Sequence, residues 1–508
     1  MEKLHVGGTN SLNLFSKKKE TSGEQIVLGS KNKISSIRKL DTQMVYFVTF
    51  LSALASGEIS PIDLFKTAGV VKYGVYTDTF DEVYSFGVGW RYGVAHACEL
   101  IAQKTADSLL PLKHMLVRLG QIIRLGDDLN LFFTNELKTV MHTFEIEYEK
   151  SLESMKQLLE MHYTMMSSAV FMLSSVIIMS MISGSSDSES QFLSAFFGIM
   201  GGLATFVFLI FFLYPRENNT IETKQDKKKQ LMILAGIGGA GAGIGIVLLV
   251  TELMPAPLIP AISLGAFILP GIIAKRKESE IKKLEQWYPT FIRHFGEIYS
   301  VVGSMSASLE TVLRSNFGPL NKNIVGLHNR ILNKVPTEDA FDLFSEETKS
   351  VSIESGNTIM SRGISHGAKI NHTANMIGEI SSKINDMKEK RQMVSKTFEN
   401  ITIMLHVLAI AVFGLMNVLV KFFHTILSGV EVKNMAIAFA PIDPGLLNTM
   451  MPVMIVTLTF INSFAIKAAQ GGSFHTVWFN VGLLGVIGAV TGYAVGIMVE
   501  GMFSDIGI

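Results

Sequence analysis

Apolar positions along this chain gather into long runs separated by two broad polar stretches. Seven runs, near 164–183, 191–214, 231–250, 253–274, 402–420, 447–466 and 476–499, predict transmembrane helices. Each has about the 20 apolar residues needed to cross hydrocarbon. The run Met44–Ala55 (MVYFVTFLSALA) is too short for that and reads as a buried helix of a polar domain. The polar segments 41–163 and 275–401 contain no alternating strand pattern of any length, so both predict helices. Each closes on a long amphipathic helix that runs toward a span. The first keeps Met141, Phe144, Tyr148, Leu152, Met155 and Leu159 at three/four spacing. The second does so with Ile370, Ala374, Ile377, Ile380, Ile384, Met387, Val394 and Phe398. Such stripes are packing surfaces, either of a helical bundle or of a dimer seam.

The resulting fold class is all-α: a polytopic membrane protein with about seven transmembrane helices. Its parts are a basic tail (1–40), a first cytoplasmic helical domain (41–163), a four-helix membrane block (164–274), a second cytoplasmic helical domain (275–401) and a three-helix membrane block (402–508). Composition agrees. Charged residues are 17%, against about 25% in soluble domains, and mean hydropathy is +0.35. Lys+Arg and Asp+Glu balance at 44 each, so no basic excess points to nucleic acid. The single cysteine, Cys98, excludes a disulfide within the chain and any CxxC motif.

Charge sets the expected orientation. The loop 184–190 and the turn at Thr251 and Glu252 carry no Lys or Arg. The loop 215–230 holds Arg216, Lys224, Lys227, Lys228 and Lys229, and the segment after the fourth span opens with Lys275, Arg276 and Lys277. The positive-inside rule then places the N-terminus in the cytoplasm and, after seven spans, the C-terminus outside. Only Lys421 and Lys433 of the 44 bases fall outside. The polar start, with Lys17, Lys18 and Lys19, predicts no cleavable signal peptide. Residues 1–40 carry eight bases and three acids among many Ser, Gly and Asn, which predicts a disordered tail able to touch anionic lipid or a partner.

The two polar segments resemble each other. Ser56-Gly57-Glu58-Ile59-Ser60-Pro61 matches Val302-Gly303-Ser304-Met305-Ser306-Ala307, each after an apolar helix with an aromatic pair, Tyr46-Phe47 and Tyr288/Phe291. In both, Gly is expected to end one helix and Ser to cap the next. A second match aligns Gly126-Asp127-Asp128-Leu129 through Glu136 with Thr337-Glu338-Asp339-Ala340 through Glu347, acid-started helices that suit the positive end of the helix dipole. The anchors lie 69 residues apart in the first copy and 34 in the second, which implies an insertion of about 35 residues within 66–110.

A helical domain with a Gly-x-[Ile/Met]-Ser turn, an acidic helix start and a charged helix entering the membrane resembles the type II secretion F domain. That family supplies the platform proteins of type IV pilus-like machines, and the layout over 41–508 is most similar to platforms of the archaellum, the archaeal flagellum. The resemblance implies six-helix F domains, a hexameric secretion ATPase held on the cytoplasmic side, filament subunits (archaellins) extracted from the membrane lipid, a homodimer, and no catalysis. Platforms of archaeal adhesive pili or secretion systems are the alternative within the family.

The residues themselves give no sign of an enzyme. There is no GxxxxGK[ST] and no HExxH, and the Gly-rich stretch Gly236–Gly245 lies within an apolar span. His366, Lys369 and His372 have no metal-triad spacing, and neither cofactor nor metal is expected. Polar groups within the spans are few: His406, Asn417, Asn462 and Asn480. They suit interhelical hydrogen bonds. No span has a central Asp, Glu, Lys or Arg, which argues against the remaining alternative, a transporter with cytoplasmic regulatory domains. Candidate ATPase contacts are Lys282 and Lys283, in the basic cluster at the membrane exit, and the acids Asp127, Asp128, Glu136, Glu338, Asp339, Glu346 and Glu347. Asp128 with Glu136, and Asp339 with Glu347, are eight apart and fall near one helix face. Gly239/Gly243, Gly241/Gly245 and Gly488/Gly492/Gly496 form small-residue stripes that let helices approach closely, within the chain or between two copies.

Overall fold

The computed structural model describes residues 41–183, 188–213, 220–221, 224–251, 253–428 and 443–504. The basic tail 1–40 and Lys433 lie outside the described residues. Among the described residues the regular structure is helical, and the β pairing is a single isolated bridge between Thr220 and Ser350. The chain divides into two compact units: Met1–Leu51 with Ile59–Val140, and Ser52–Glu58 with Met141–Ile508.

The first unit takes most of α1 (Thr42–Ala55), then α2 (Pro61–Ala68), α3 (Val75–Tyr84), α4 (Val94–Lys104), α5 (Leu110–Leu125) and the start of α6 (Leu129–Ser183). Residues 44–55 of α1 are apolar or small on every side and buried on every side, as a core helix must be. Phe47 is ringed by Tyr73, Tyr76 and Phe80, with centroids 4.9–5.7 Å away. Pro61 opens α2, and the Ser60 hydroxyl accepts from Asp63 N–H at 3.2 Å, so the expected serine cap is present here. Gly126, at φ 71°, closes α5 in the left-handed conformation that favours glycine. Asp128 then caps α6 by accepting from Asn130 N–H at 2.8 Å.

The second unit contains the rest of α6, then α7 (Ser188–Leu213), α8 (Lys224–Thr251), α9 (Ile259–Gly265), α10 (Ile268–Val302), α11 (Met305–Val312), α12 (Asn321–Leu332), α13 (Thr337–Thr348), α14 (Val351–Ser365), α15 (Ile370–Ser428), α16 (Pro444–Gln470) and α17 (Val477–Ser504). Among the described residues, α6, α7, α15, α16 and α17 contain windows long and apolar enough to cross a membrane, and α9 with α10 adds a sixth candidate as a bent pair. The run expected at 231–250 lies in α8, whose described apolar stretch is Met232–Leu248. The expected fourth span, 253–274, is not one straight helix, because α9 and α10 meet at 43°. Pro270 is the physical reason: its ring is incompatible with a helical carbonyl at Ala266, and Ala266 with Phe267 forms the break. Buried Met155, Leu159, Phe192, Phe398, Ile410, Leu458 and Leu484 join α6, α7, α15, α16 and α17 in one apolar core.

Two expectations about the repeat are corrected. The helix that enters the apolar core starts at Leu129 in the first polar segment and, as its apolar stripe predicts, at Ile370 in the second, so the acidic start at Thr337 belongs to an earlier helix. Leu129 follows Pro61, the start of α2, by 68 positions, and Ile370 follows Met305, the start of α11, by 65. The near-equal spacings leave no 35-residue insertion to place. In order, α1 to α6 have 14, 8, 10, 11, 16 and 55 residues. Helices α10 to α15 have 35, 8, 12, 12, 15 and 59. The short acidic motif had attracted α6 to α13, two helices too early. The serine cap is also shifted. Ser306 lies inside α11, and the cap position is Ser304, whose side chain makes no capping bond.

Candidate functional site

Helices α6 and α15 run unbroken for 55 and 59 residues. At 1.5 Å per residue each is roughly 80–90 Å long, of which hydrocarbon takes about 30 Å. Outside the apolar core they are tied by Lys383–Glu145 at 3.2 Å and Lys390–Glu149 at 2.8 Å. The second pair is exposed and the first half-buried, so they fix register rather than add much stability.

The seam between α10 and α15 is more deeply built. Glu285 is 5% exposed. Its carboxylate accepts from Ser350 Oγ at 2.6 Å and Lys388 Nζ at 3.0 Å, and its backbone carbonyl accepts from Asn385 Nδ2 at 2.8 Å. A buried carboxylate demands such partners. Gly296 abuts Ala374 so closely that a side chain there would overlap it. Above this seam opens a cleft of ≈ 380 Å³ whose lining includes Lys275, Lys396, Glu399 and Asn480.

Within the apolar core, polar groups form a chain across four helices. Asn462 Nδ2 donates to His406 Nδ1 at 3.2 Å, which leaves the His406 proton on Nε2, 3.2 Å from the Leu484 carbonyl. His162 Nε2 lies 3.4 Å from Asn462 Oδ1. All three side chains are fully buried. The chain links α6, α15, α16 and α17 with neutral donors and acceptors matched in sequence, which suits interhelical cross-linking. His406 and Asn462 were legible as intramembrane polar residues. His162 was not, because it sits just ahead of its apolar run.

The expected contact residues separate on inspection. Asp127, Asp128, Asp339, Glu346, Glu347 and Lys283 are exposed, and Glu338 and Lys282 are half-buried. Lys282 turns back to Gln392 of α15, Glu347 pairs with Arg330, and Glu338 accepts from Ser365. Glu338 and Asp339 lie in the first turn of α13, and the cap position is Pro336, so they act on the helix dipole without capping. Glu136 is overturned as part of an exposed stripe with Asp128. Its side chain is 7% exposed and bound to Arg118 at 2.5 Å. Glu136→Gln is expected to lower unfolding stability by about 1–3 kcal/mol, through the lost charge-assisted bond in a buried setting. Thermal melting of the detergent-solubilised protein reads this, and an unchanged melting point would refute it.

Sequence reasoning passed over Asp342, which shares the exposed α13 face with Asp339 and Glu346. Partial burial, and then the charges of Asp339, Glu338 and Glu346, hold its carboxyl above the ordinary range against the pull of Arg362. It also passed over Trp90 and Tyr92, 70% and 53% exposed, in the loop between α3 and α4. Cys98 is buried, and burial pushes its thiol up to about 12, so it is unreactive. Among the described residues no three His, Cys, Asp or Glu gather as a metal site.

The glycine stripes resolve differently from one another. Gly488 faces Ile410 and His406, and Gly492 faces Met451 and Pro257, so both serve packing within the chain. Gly241 and Gly245 face Ser263 of α9. Gly239, Gly243 and Gly496 have nothing within 4 Å.

Helices of this length and apolarity, packed into one core and continued by polar helical arms, define an all-α polytopic membrane protein. Two curated relatives are similar to this chain along most of its length. Flagella accessory protein J of Methanococcus voltae is 22% identical over 470 residues, covering 87% of this chain and 82% of the relative. Flagella accessory protein J of Methanocaldococcus jannaschii is 23% identical over 473 residues, covering 86% and 81%. The chain is thus a membrane protein similar along most of its length to two flagella accessory J proteins. No family model and no solved structure matches it.

Proposed function

We propose that this chain is the membrane platform of an archaellum, coupling a cytoplasmic hexameric secretion ATPase to extraction and assembly of filament subunits. The carrying observation is the pair of long unbroken helices, α6 and α15, each of which begins in polar sequence and ends in the apolar core. A pair of stiff rods is what a mechanical coupler requires and what a passive anchor does not. The similarity to two flagella accessory proteins along most of the chain supports the same reading.

In this reading the segments 41–163 and 275–401 are two F-type domains in the cytoplasm, each a run of six helices. The N-terminus is inside and the C-terminus outside, as the basic inner loops favour. The platform acts as a homodimer in membrane lipid and performs no catalysis. The ATPase docks on exposed charge: Asp127 and Asp128 on the first domain, Asp339, Asp342 and Glu346 on the second, and Lys283 at the membrane exit.

Deleting the gene in its own archaeon tests the proposal. Filaments should disappear from the surface while unassembled subunits stay in the membrane, and a tagged copy should restore filaments and co-purify the ATPase. Normal filaments in the deletion strain would sink it.

A further inference from the structure

The turn between α16 and α17 is gripped from two sides by buried charge. Arg391 of α15 is 4% exposed. Its Nε donates to the Ala469 carbonyl at 3.2 Å and a terminal nitrogen to the Ala468 carbonyl at 3.4 Å. These are among the last carbonyls of α16, which have no partner inside their own helix and carry its negative dipole end. A planar guanidinium reaches two of them from one position. Lys467 is 4% exposed and faces the same turn from within, donating to the Gly471 carbonyl and to Thr476 Oγ1 at 2.6 Å. Glu278 of α10 supplies the countercharge to Lys467 and accepts from the Ser473 backbone N–H.

Two glycines make the grip possible. Gly471 and Gly472 have φ of 68° and 69°, a conformation that L side chains rarely adopt. Neither has room for a Cβ. At Gly471 it would come within 2.8 Å of Arg391 Cζ, and at Gly472 it would overlap the Glu278 carboxylate. The turn is therefore shaped to admit one basic group from α15 and one acidic group from α10. Burying the Arg391 and Lys467 cations is costly for mere stability, since apolar substitutes for buried charge often do as well.

We infer that Arg391 and Glu278 are positioning residues that deliver movement of the polar arms of α10 and α15 to the α16–α17 hairpin. The inference rests on the coupling function proposed above and names one place where displacement reaches the α16–α17 hairpin. The hairpin has no polar arm of its own among the described residues, so any push it receives comes through its neighbours, and among these α10 and α15 are the ones that grip its turn by charge.

The test uses the full chain expressed in the deletion strain. Arg391→Gln, Glu278→Gln and Gly472→Ala should each leave membrane abundance and ATPase co-purification within twofold of wild type and lower filament number at least tenfold. Arg391→Lys, which keeps a cation but loses the fork, should restore part of the filaments. Normal filaments in Arg391→Gln would overturn the inference. So would membrane abundance or detergent melting temperature falling in step with filament number, because that marks a merely structural bond. A wild-type chain that neither co-purifies the ATPase nor restores filaments would overturn the coupling reading itself, a failure distinct from any behaviour of the variants.

Discussion

Placing proline at Ser154 should stop filament assembly while leaving the protein in the membrane. Ser154 is an exposed position of α6, next to Met155 where the helix joins the apolar core. Proline there removes one helical hydrogen bond and drives its ring against the Lys150 carbonyl, a cost of about 3 kcal/mol or more that the helix relieves by kinking. Ser154→Ala changes neither and is the control. Because position 154 is exposed, no core packing is lost with the serine. The expected result is equal membrane abundance for both variants, ATPase co-purification by both, and filaments only with alanine. Filaments with both would show that stiffness of α6 is irrelevant to assembly.

The second large effect is at Gly271. Glycine inside a helix costs roughly 0.8–1.0 kcal/mol relative to alanine, so propensity alone favours Gly271→Ala. Sterics oppose it. A Cβ at Gly271 would overlap the backbone N and Cα of Phe479 in α17, atoms that cannot rotate away. Overpacking typically costs 1–3 kcal/mol even against movable side chains, so the clash should win and the melting temperature should fall. Gly239→Ala provides the opposite sign. Nothing lies within 4 Å of that position, so only the propensity gain remains and stability should rise. If both variants melt alike, the α10–α17 contact is not as close as described.

The sequence made the helices legible because their signals are local. Apolar runs of spanning length, the all-round apolar Thr42–Ala55 and the αL glycine at Gly303 each depend on a few neighbouring residues. The break ahead of Pro270 was legible in principle, since proline forbids the continuous helix that hydropathy alone suggests. The repeat register was misread because acidic helix starts are common and short. Helix order, which needs the boundaries of all six, gives a different alignment. The Arg391 grip was not legible at all. Its partners Ala468 and Ala469 are 77 and 78 positions away, and an arginine on a charged amphipathic helix looks like a solvated one. Glu136 failed for the same reason: its partner Arg118 sits on another helix, so helical periodicity could not reveal that the acid was buried.

The contact at Gly271 is reciprocal. Gly482 of α17 faces Ile268 of α10, where a Cβ would lie 2.8 Å from the Ile268 backbone nitrogen. Each helix thus offers its smallest residue to the other's backbone. An ordinary core contact can drift in evolution, because a larger residue on one side is offset by a smaller one opposite. This seam has no such freedom, since both sides already stand at the minimum of side-chain volume. Divergence here must proceed by parting the two helices, so relatives that lack these glycines should hold α10 and α17 farther apart.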